Sequence, residues 1–255
     1  MTAGMRWPFT WIAVATLLVS SVTLSPAIQI VGADAQALVR DERSALLLPG
    51  AGSASVKTEV AVLDEMLRDS KGRVQYWTSV PELVVLTSVM QYHVIDSREF
   101  VATAEQLDAN DTQSLVADLR LALRQLTDKT FDDFAAIHYE PVPAGSRAAI
   151  VRPKQIVVGR FQGLTDLAHT IGFGGRTTRR AGDIVGAAIL LDNEFDRTST
   201  ARRLSRTHEL GHALGFNHVK SRLSIMNDRI GPEVTDVDRR IGMVAFQRAG
   251  IRPTE

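Results

Sequence analysis

From Val74 onward, apolar positions switch between short contiguous runs and helical spacing. Leu83–Leu86 is an apolar run with β-branched members, which predicts a strand. Leu115, Leu119, Ala122, Leu123 and Leu126 form one stripe of a helix that Asp111 or Thr112 caps. Ile137–Val142, Gln155–Phe161 and Asp183–Leu191 predict further strands. Gly172, Gly174, Gly175 and Gly182 predict a loop-like connection before the last of these. A second helix runs from a cap at Thr198 or Ser199 through Leu204 and Leu210 to about Leu214. Thr235 caps a last helix with Val237, Ile241, Val244 and Ala245 on one face. Strands alternating with helices, without internal repeats, predict a mixed α/β (α+β) domain over 73–255.

The N-terminal third follows other rules. Arg6 precedes a charge-free stretch from Trp7 to Ala33, most apolar over Trp11–Leu24 and broken by Pro26. Ala33-Asp34-Ala35 has the small-x-small form of a cleavage site. Residues 1–35 therefore read as a secretory signal peptide, with an uncleaved membrane anchor as the alternative. The first reading predicts a secreted or extracytoplasmic protein, the second one tethered to a membrane. Residues 36–72 read as a spacer, a propeptide or a decoration of the domain. They hold the linker-like Pro49–Ser55 and a short helix over Val56–Leu67 with Val60, Leu63 and Leu67 on one face.

Composition mainly removes options. Lys+Arg and Asp+Glu both number 29, so no net field favours nucleic acid, and no nucleic-acid motif is present. The absence of cysteine removes disulfides, thiolate metal sites and a cysteine nucleophile. Nothing in the sequence calls for an oligomer, so a monomer is expected.

The chemistry concentrates in His208-Glu209-Leu210-Gly211-His212-Ala213-Leu214-Gly215-Phe216-Asn217-His218, which reads HExxHxxGxxH. His208 and His212, four apart on a helix, project from one face and can share one Zn²⁺. Glu209 sits on the same turn, placed to reach a water on the metal rather than the metal itself. Gly215 can adopt φ > 0 and turn the chain back so that His218 supplies a third nitrogen. Three protein ligands leave a fourth position open, which is the catalytic arrangement. HExxH alone occurs by chance; here three of six histidines fall in eleven residues with Glu and Gly at the constrained places.

Ser224-Ile225-Met226-Asn227 follows, and with the zinc string it resembles the methionine turn of metzincin zinc peptidases. Leu167-Ala168-His169-Thr170 and Gly182–Asp192 are similar to the loop and edge strand of the matrixin branch. The resemblance is sharp over Leu167–Asn227 and spans Val74–Arg252 in outline. It implies a twisted, mixed five-stranded sheet with an active-site helix, a Met-turn and a C-terminal helix, and zinc-dependent endopeptidase activity on proteins or peptides. It further implies that Met226 lies beneath the metal and that Gly186, Ala187, Ala188 and Ile189 form the cleft rim, where substrate adds as an antiparallel strand. Asp238 is expected to brace the Met-turn, its alternative being a helix-start acid favoured by the dipole. Parts of the matrixin pattern are absent. A cysteine switch is impossible, and the edge-strand histidine of a second zinc site is Leu190 here, which leaves His169 as a loop or core residue. Asp192, Glu194 and Asp196 read as a Ca²⁺ site or a solvated turn. The alternative for the whole chain is a non-catalytic, zinc-containing binding module on the same fold.

Overall fold

The computed structural model describes residues 61–69, 72–93, 99–179, 182–220, 224–227 and 233–247. The expected leader and residues 36–60 lie outside the described residues. Among those described, no helix is long and apolar enough to cross a membrane.

Residues 61–67 form helix α1. There follow β1 (Glu82–Leu86), β2 (Ser88–Gln91), β3 (Glu99–Gln106), α2 (Ala109–Leu126), β4 (Ile137–Glu140), β5 (Arg147–Ala149) and β6 (Gln155–Gln162). Then come α3 (Leu164–Ala168), β7 (Gly172–Thr178), β8 (Ile184–Asp192), α4 (Asn193–Thr198), α5 (Arg202–Leu214) and α6 (Asp236–Gln247). The fold is mixed α/β, as the pattern predicts.

β4, β1, β6 and β8 lie side by side and parallel, and β7 closes the row antiparallel to β8. These five are the expected sheet. Three more strands extend it. β2 follows β1 across Thr87, pairs with the end of β6 and leads antiparallel to β3, which pairs with β5. Their pattern is weak: β3 is half polar and β5 has three residues, so neither presents a clear apolar run.

Strand side chains alternate between two cores. Leu83, Val85, Ile156, Val158, Ala187, Ile189 and Leu191 face the helices, while Val84, Leu86, Val157, Ala188 and Leu190 face a smaller core under β2, β3 and β5. Burial on both faces explains why β1, β6 and β8 read as continuous apolar runs. The α2 stripe is buried as predicted, but its cap is Asp108, which accepts from the Asp111 amide at 2.7 Å. The last helix starts at the predicted place. The Asp238 carboxylate reaches back to the Thr235 amide at 2.8 Å, forming a capping box.

The boundary at residue 72 needs correction. Val62, Leu63, Met66 and Leu67 of α1 are buried in the helix-side core, and Arg68 bridges Val74. Residues 61–69 are therefore part of the domain, not of a spacer or a removable propeptide. Leu63 and Leu67 of the predicted face are buried, joined by Val62 and Met66, while Val60 lies outside the described residues; what the sequence lacks is any sign of the surface they meet.

The helix layer also encloses charge. Arg160 on β6 and Arg206 on α5 are fully buried, with the Asp196 carboxylate of α4 between them. This arrangement removes the calcium expectation. Asp196 points into the core, whereas Asp192 caps α4 through the Phe195 amide and holds the Thr165 amide with its other oxygen. Glu194 is exposed. The three carboxylates face different directions and share no coordination point.

Candidate metal centre

α5 lies under the β7 edge of the sheet because β7 has almost no side chains on that face. A Cβ on Gly172 would come within 2.6 Å of Glu209 Oε1, and one on Gly174 within 2.3 Å of the Glu209 carbonyl oxygen. Alternate glycines let backbone rest directly on helix. The four glycines read as loop in sequence are thus partly an edge strand that needs their missing side chains.

The helix stops at Gly215, as predicted. Its φ of +116° is the left-handed conformation that favours glycine, and a Cβ would meet the Gln75 carbonyl oxygen at 2.6 Å. The Phe216 amide donates back to the Gly211 carbonyl at 2.9 Å, closing the turn. The chain then returns so that His218 joins His208 and His212.

The three Nε2 atoms form a nearly equilateral triangle, with sides of 3.1 Å (His208–His212), 3.1 Å (His208–His218) and 3.0 Å (His212–His218). Orientation decides what this means. His208 Nδ1 lies 2.7 Å from the Ile225 carbonyl oxygen and His212 Nδ1 lies 2.9 Å from that of Phe216. Each Nδ1 therefore carries the proton and donates it, which turns the Nε2 lone pairs inward. Lone pairs converging without protons repel, and a cation removes the conflict. Tetrahedral zinc with Zn–N near 2.0–2.1 Å sets nitrogens about 3.3 Å apart, within a few tenths of an ångström of these sides. Among the described residues, these histidines are the one group arranged to hold a metal.

Burial, then the neighbouring His208, pushes the His212 imidazole down to about 3. Burial lowers His208 as well. Both rings are thus neutral near pH 7, the form that binds metal. Glu209 is the complementary case. Burial pushes its carboxyl up to about 7, while the Gly174 amide hydrogen bond pulls the other way.

Met226, expected beneath the metal, lies in a turn at 224–227. Met226 is fully buried, and its sulfur lies against Gly211, where a Cβ would approach to 2.3 Å. The turn also orients a ligand, through the Ile225 carbonyl on His208. Buried Asp238 braces it: its carboxylate accepts from the Ser224 hydroxyl and, at 3.0 Å, from the Ile225 amide. Asp238→Ala leaves the buried Ser224 hydroxyl and Ile225 amide without this acceptor. The expected cost is about 2–4 kcal/mol in chemical denaturation, with roughly tenfold weaker metal binding through displaced Ile225.

The expected rim is misplaced. Gly186–Ile189 lie inside the sheet, paired to β6 (Ala187–Ile189) on one side and to β7 (all four) on the other. They have no free edge for a peptide. Among the described residues β7 has a strand partner on one side only, so the open edge belongs to Gly172–Thr178. His169 is exposed, ends α3 with φ +53° and joins no metal-binding group among the described residues, so the loop reading fits.

The motif gives no hint of three further contributors. Arg176 on β7 donates to the carbonyls of His212 at 3.0 Å and Phe216 at 3.2 Å, at the end of α5. Burial pushes its guanidinium down to about 10. Trp77 donates to the Ala213 carbonyl at 3.0 Å. Asn217, inside the string, ties it to α1 through Met66 and Arg68. Only the alternating glycines before Arg176 carry a sequence signal, that of a strand with one bare face.

Neither a protein-family model nor a curated protein sequence matches this chain. Among solved structures, metalloproteinase-II from Bacteroides fragilis is similar at 15% identity and a TM-score of 0.39, over 67% of this chain and 53% of that one. This chain thus spans about half the length of that protein.

Proposed function

We propose that this chain is a zinc-dependent endopeptidase of the metzincin type. The observation that carries the reading is the triangle of three inward-facing Nε2 atoms with Glu209, next to His208 on α5, packed by its carboxylate against Gly172 of β7. Nothing in a purely structural metal site requires that carboxylate.

His208, His212 and His218 would hold the metal through Nε2. A zinc ion held there supplies Lewis acidity to the attacking water and to the scissile carbonyl oxygen. Glu209 accepts the proton of the attacking water on its carboxylate and returns it to the departing amine nitrogen. Poised near 7 without metal and lowered by a nearby cation, the carboxyl is a base at neutral pH that still releases its proton readily. The edge of β7 offers unpaired backbone groups to an extended peptide, which binds as an added antiparallel strand. Gly172 and Gly174 bring that edge down to Glu209, so a peptide there passes the reacting groups.

The test is digestion of casein or a fluorogenic peptide by the full-length protein. Hydrolysis is expected with zinc, lost on adding a chelator and restored by returning zinc. A zinc-loaded protein that cleaves neither substrate overturns the peptidase reading in favour of the binding module.

A further inference from the structure

Two of the three candidate ligands have an orienting partner and the third has none. Ile225 O fixes His208 and Phe216 O fixes His212, each through Nδ1. Among the described residues, His218 Nδ1 has no hydrogen-bond partner, and the ring is exposed. Its place must be set by the backbone that delivers it, four residues beyond the end of α5.

That backbone is held at Asn217. The Asn217 amide donates to the Met66 carbonyl at 2.8 Å. Its side-chain Nδ2 donates to the carbonyls of Met66 at 3.2 Å and Arg68 at 2.9 Å, just past α1. Its Oδ1 accepts from Arg176 Nη2 at 2.5 Å. The Arg176 fork also grips Gln75 Oε1 with Nε and the His212 and Phe216 carbonyls with Nη1. The Asn217 side chain thus joins two elements, its Nδ2 donating to the end of α1 and its Oδ1 accepting from β7. Phe216 O is shared, since it receives both Arg176 and the Nδ1 proton of His212.

We propose that Asn217 and Arg176 are positioning residues for the metal centre, a clasp between β7 and α1 that places His218 in register with His208 and His212. The inference rests on the zinc reading above. It makes α1 a working part of the site, because the clasp closes on backbone that α1 supplies. It also gives Arg176, half-buried with only the charge of Asp69 near it, a further source of stabilisation: its charge sits at the negative end of the α5 dipole, against the last carbonyls of the helix. A lysine cannot replace it, because one ammonium cannot span the four acceptors of a planar fork.

The test uses the full chain and three readouts: zinc affinity by competition with a chelating dye, the visible spectrum of the cobalt-substituted protein, and melting of the metal-free protein. Asn217→Ala and Arg176→Met are each expected to weaken zinc about 10–100-fold. The cobalt bands should lose the intensity of a regular four-coordinate site. Arg176→Lys should not restore either property. In peptide assays kcat should fall, with KM held within about threefold.

Asn217→Asp keeps the acceptor for Arg176 but turns a carboxylate on the Met66 and Arg68 carbonyls; it should show the same zinc defect with less lost packing. Variants that fold and bind zinc within about threefold of wild type overturn the clasp. A set in which no variant folds without metal overturns it equally, assigning the residues to the fold alone. Failure of the zinc reading looks different, since the unaltered chain then binds no zinc at all.

Discussion

Glu209→Gln is expected to lower peptide turnover by at least about 10³-fold while leaving zinc content unchanged. The substitution keeps the shape of the side chain and removes its basicity. The metal would be held by three imidazoles oriented through Ile225, Phe216 and the His218 backbone, none of which Glu209 touches through its carboxylate. Loss of rate should therefore appear in kcat with full zinc occupancy, measured by metal analysis on the same sample. Residual turnover within tenfold of wild type sinks the role given to Glu209.

The same variant has a second expected signature, in stability. In the metal-free protein the Glu209 carboxyl is pushed from 4.5 to about 7 by burial, so the native state resists its ionisation. Below pH 4.5 the carboxyl is protonated in both folded and unfolded chains and costs nothing. As pH rises from 4.5 to about 7 the unfolded chain ionises first, and native stability falls. Above that range the accumulated cost corresponds to roughly 3 kcal/mol. Metal-free Glu209→Gln should thus be more stable than metal-free wild type at pH 8, and the gap should close on acidification to pH 4. Bound zinc lowers the carboxyl and shrinks the gap at pH 8. A catalytic carboxylate kept in a dry place at the expense of stability is the physical content of this prediction.

Much of this site is legible in the sequence because local rules place it. Helical spacing brings His208 and His212 together, Gly215 needs positive φ within the string itself, and Met226 follows within one turn and loop. β1, β6 and β8 are legible for a related reason: strands buried on both faces read as apolar runs. What sequence cannot supply are meetings between distant segments whose local patterns are bland. β7 is glycine-rich because α5 presses on it, a requirement created by tertiary contact and invisible to strand propensity. The family resemblance puts the rim on Gly186–Ile189 of β8, yet the apolarity of that strand comes from being paired and covered on both sides. A substrate-binding edge must be open, and openness selects for the opposite composition. α1 is misassigned for the same reason. Its apolar face is visible in the sequence, but Asn217 and the core that receive it are some 150 residues away. Asp196 looks like one of three alternating surface acids until Arg160 and Arg206 are seen to surround it.

That last residue carries the largest expected effect on folding. Asp196→Ala should destabilise the protein by about 3–5 kcal/mol, a large share of the 5–15 kcal/mol that ordinarily separates folded from unfolded chains. Asp196 Oδ1 accepts from Arg206 Nε at 2.7 Å, and Oδ2 accepts from Arg160 Nε and Arg206 Nη2, both at 2.7 Å. Both guanidiniums are wholly buried, so removing the carboxylate leaves two charges in a low-dielectric interior with one acidic partner each. Those partners, Asp111 for Arg160 and Asp118 for Arg206, lie at 2.8 Å on α2, nearer the surface. Burial by itself lowers the Arg206 guanidinium; the hydrogen bonds and charge of Asp196, with those of Asp118, outweigh it and raise the group. The carboxylate is therefore what lets this cation stay charged inside. Arg197 and Glu105, paired at 2.8 Å but half exposed, provide the internal control: Arg197→Ala should cost less than about 1 kcal/mol, since water replaces what the pair provided. Urea denaturation of the two variants against wild type measures the contrast. Equal midpoints for Asp196→Ala and wild type would mean that the arginines find water or shift, and that the network does not hold the layers together. If the contrast holds, a consequence reaches the metal, because Arg206 lies two residues before His208 on α5. Loosening that turn should weaken zinc binding even in the fraction of Asp196→Ala that remains folded.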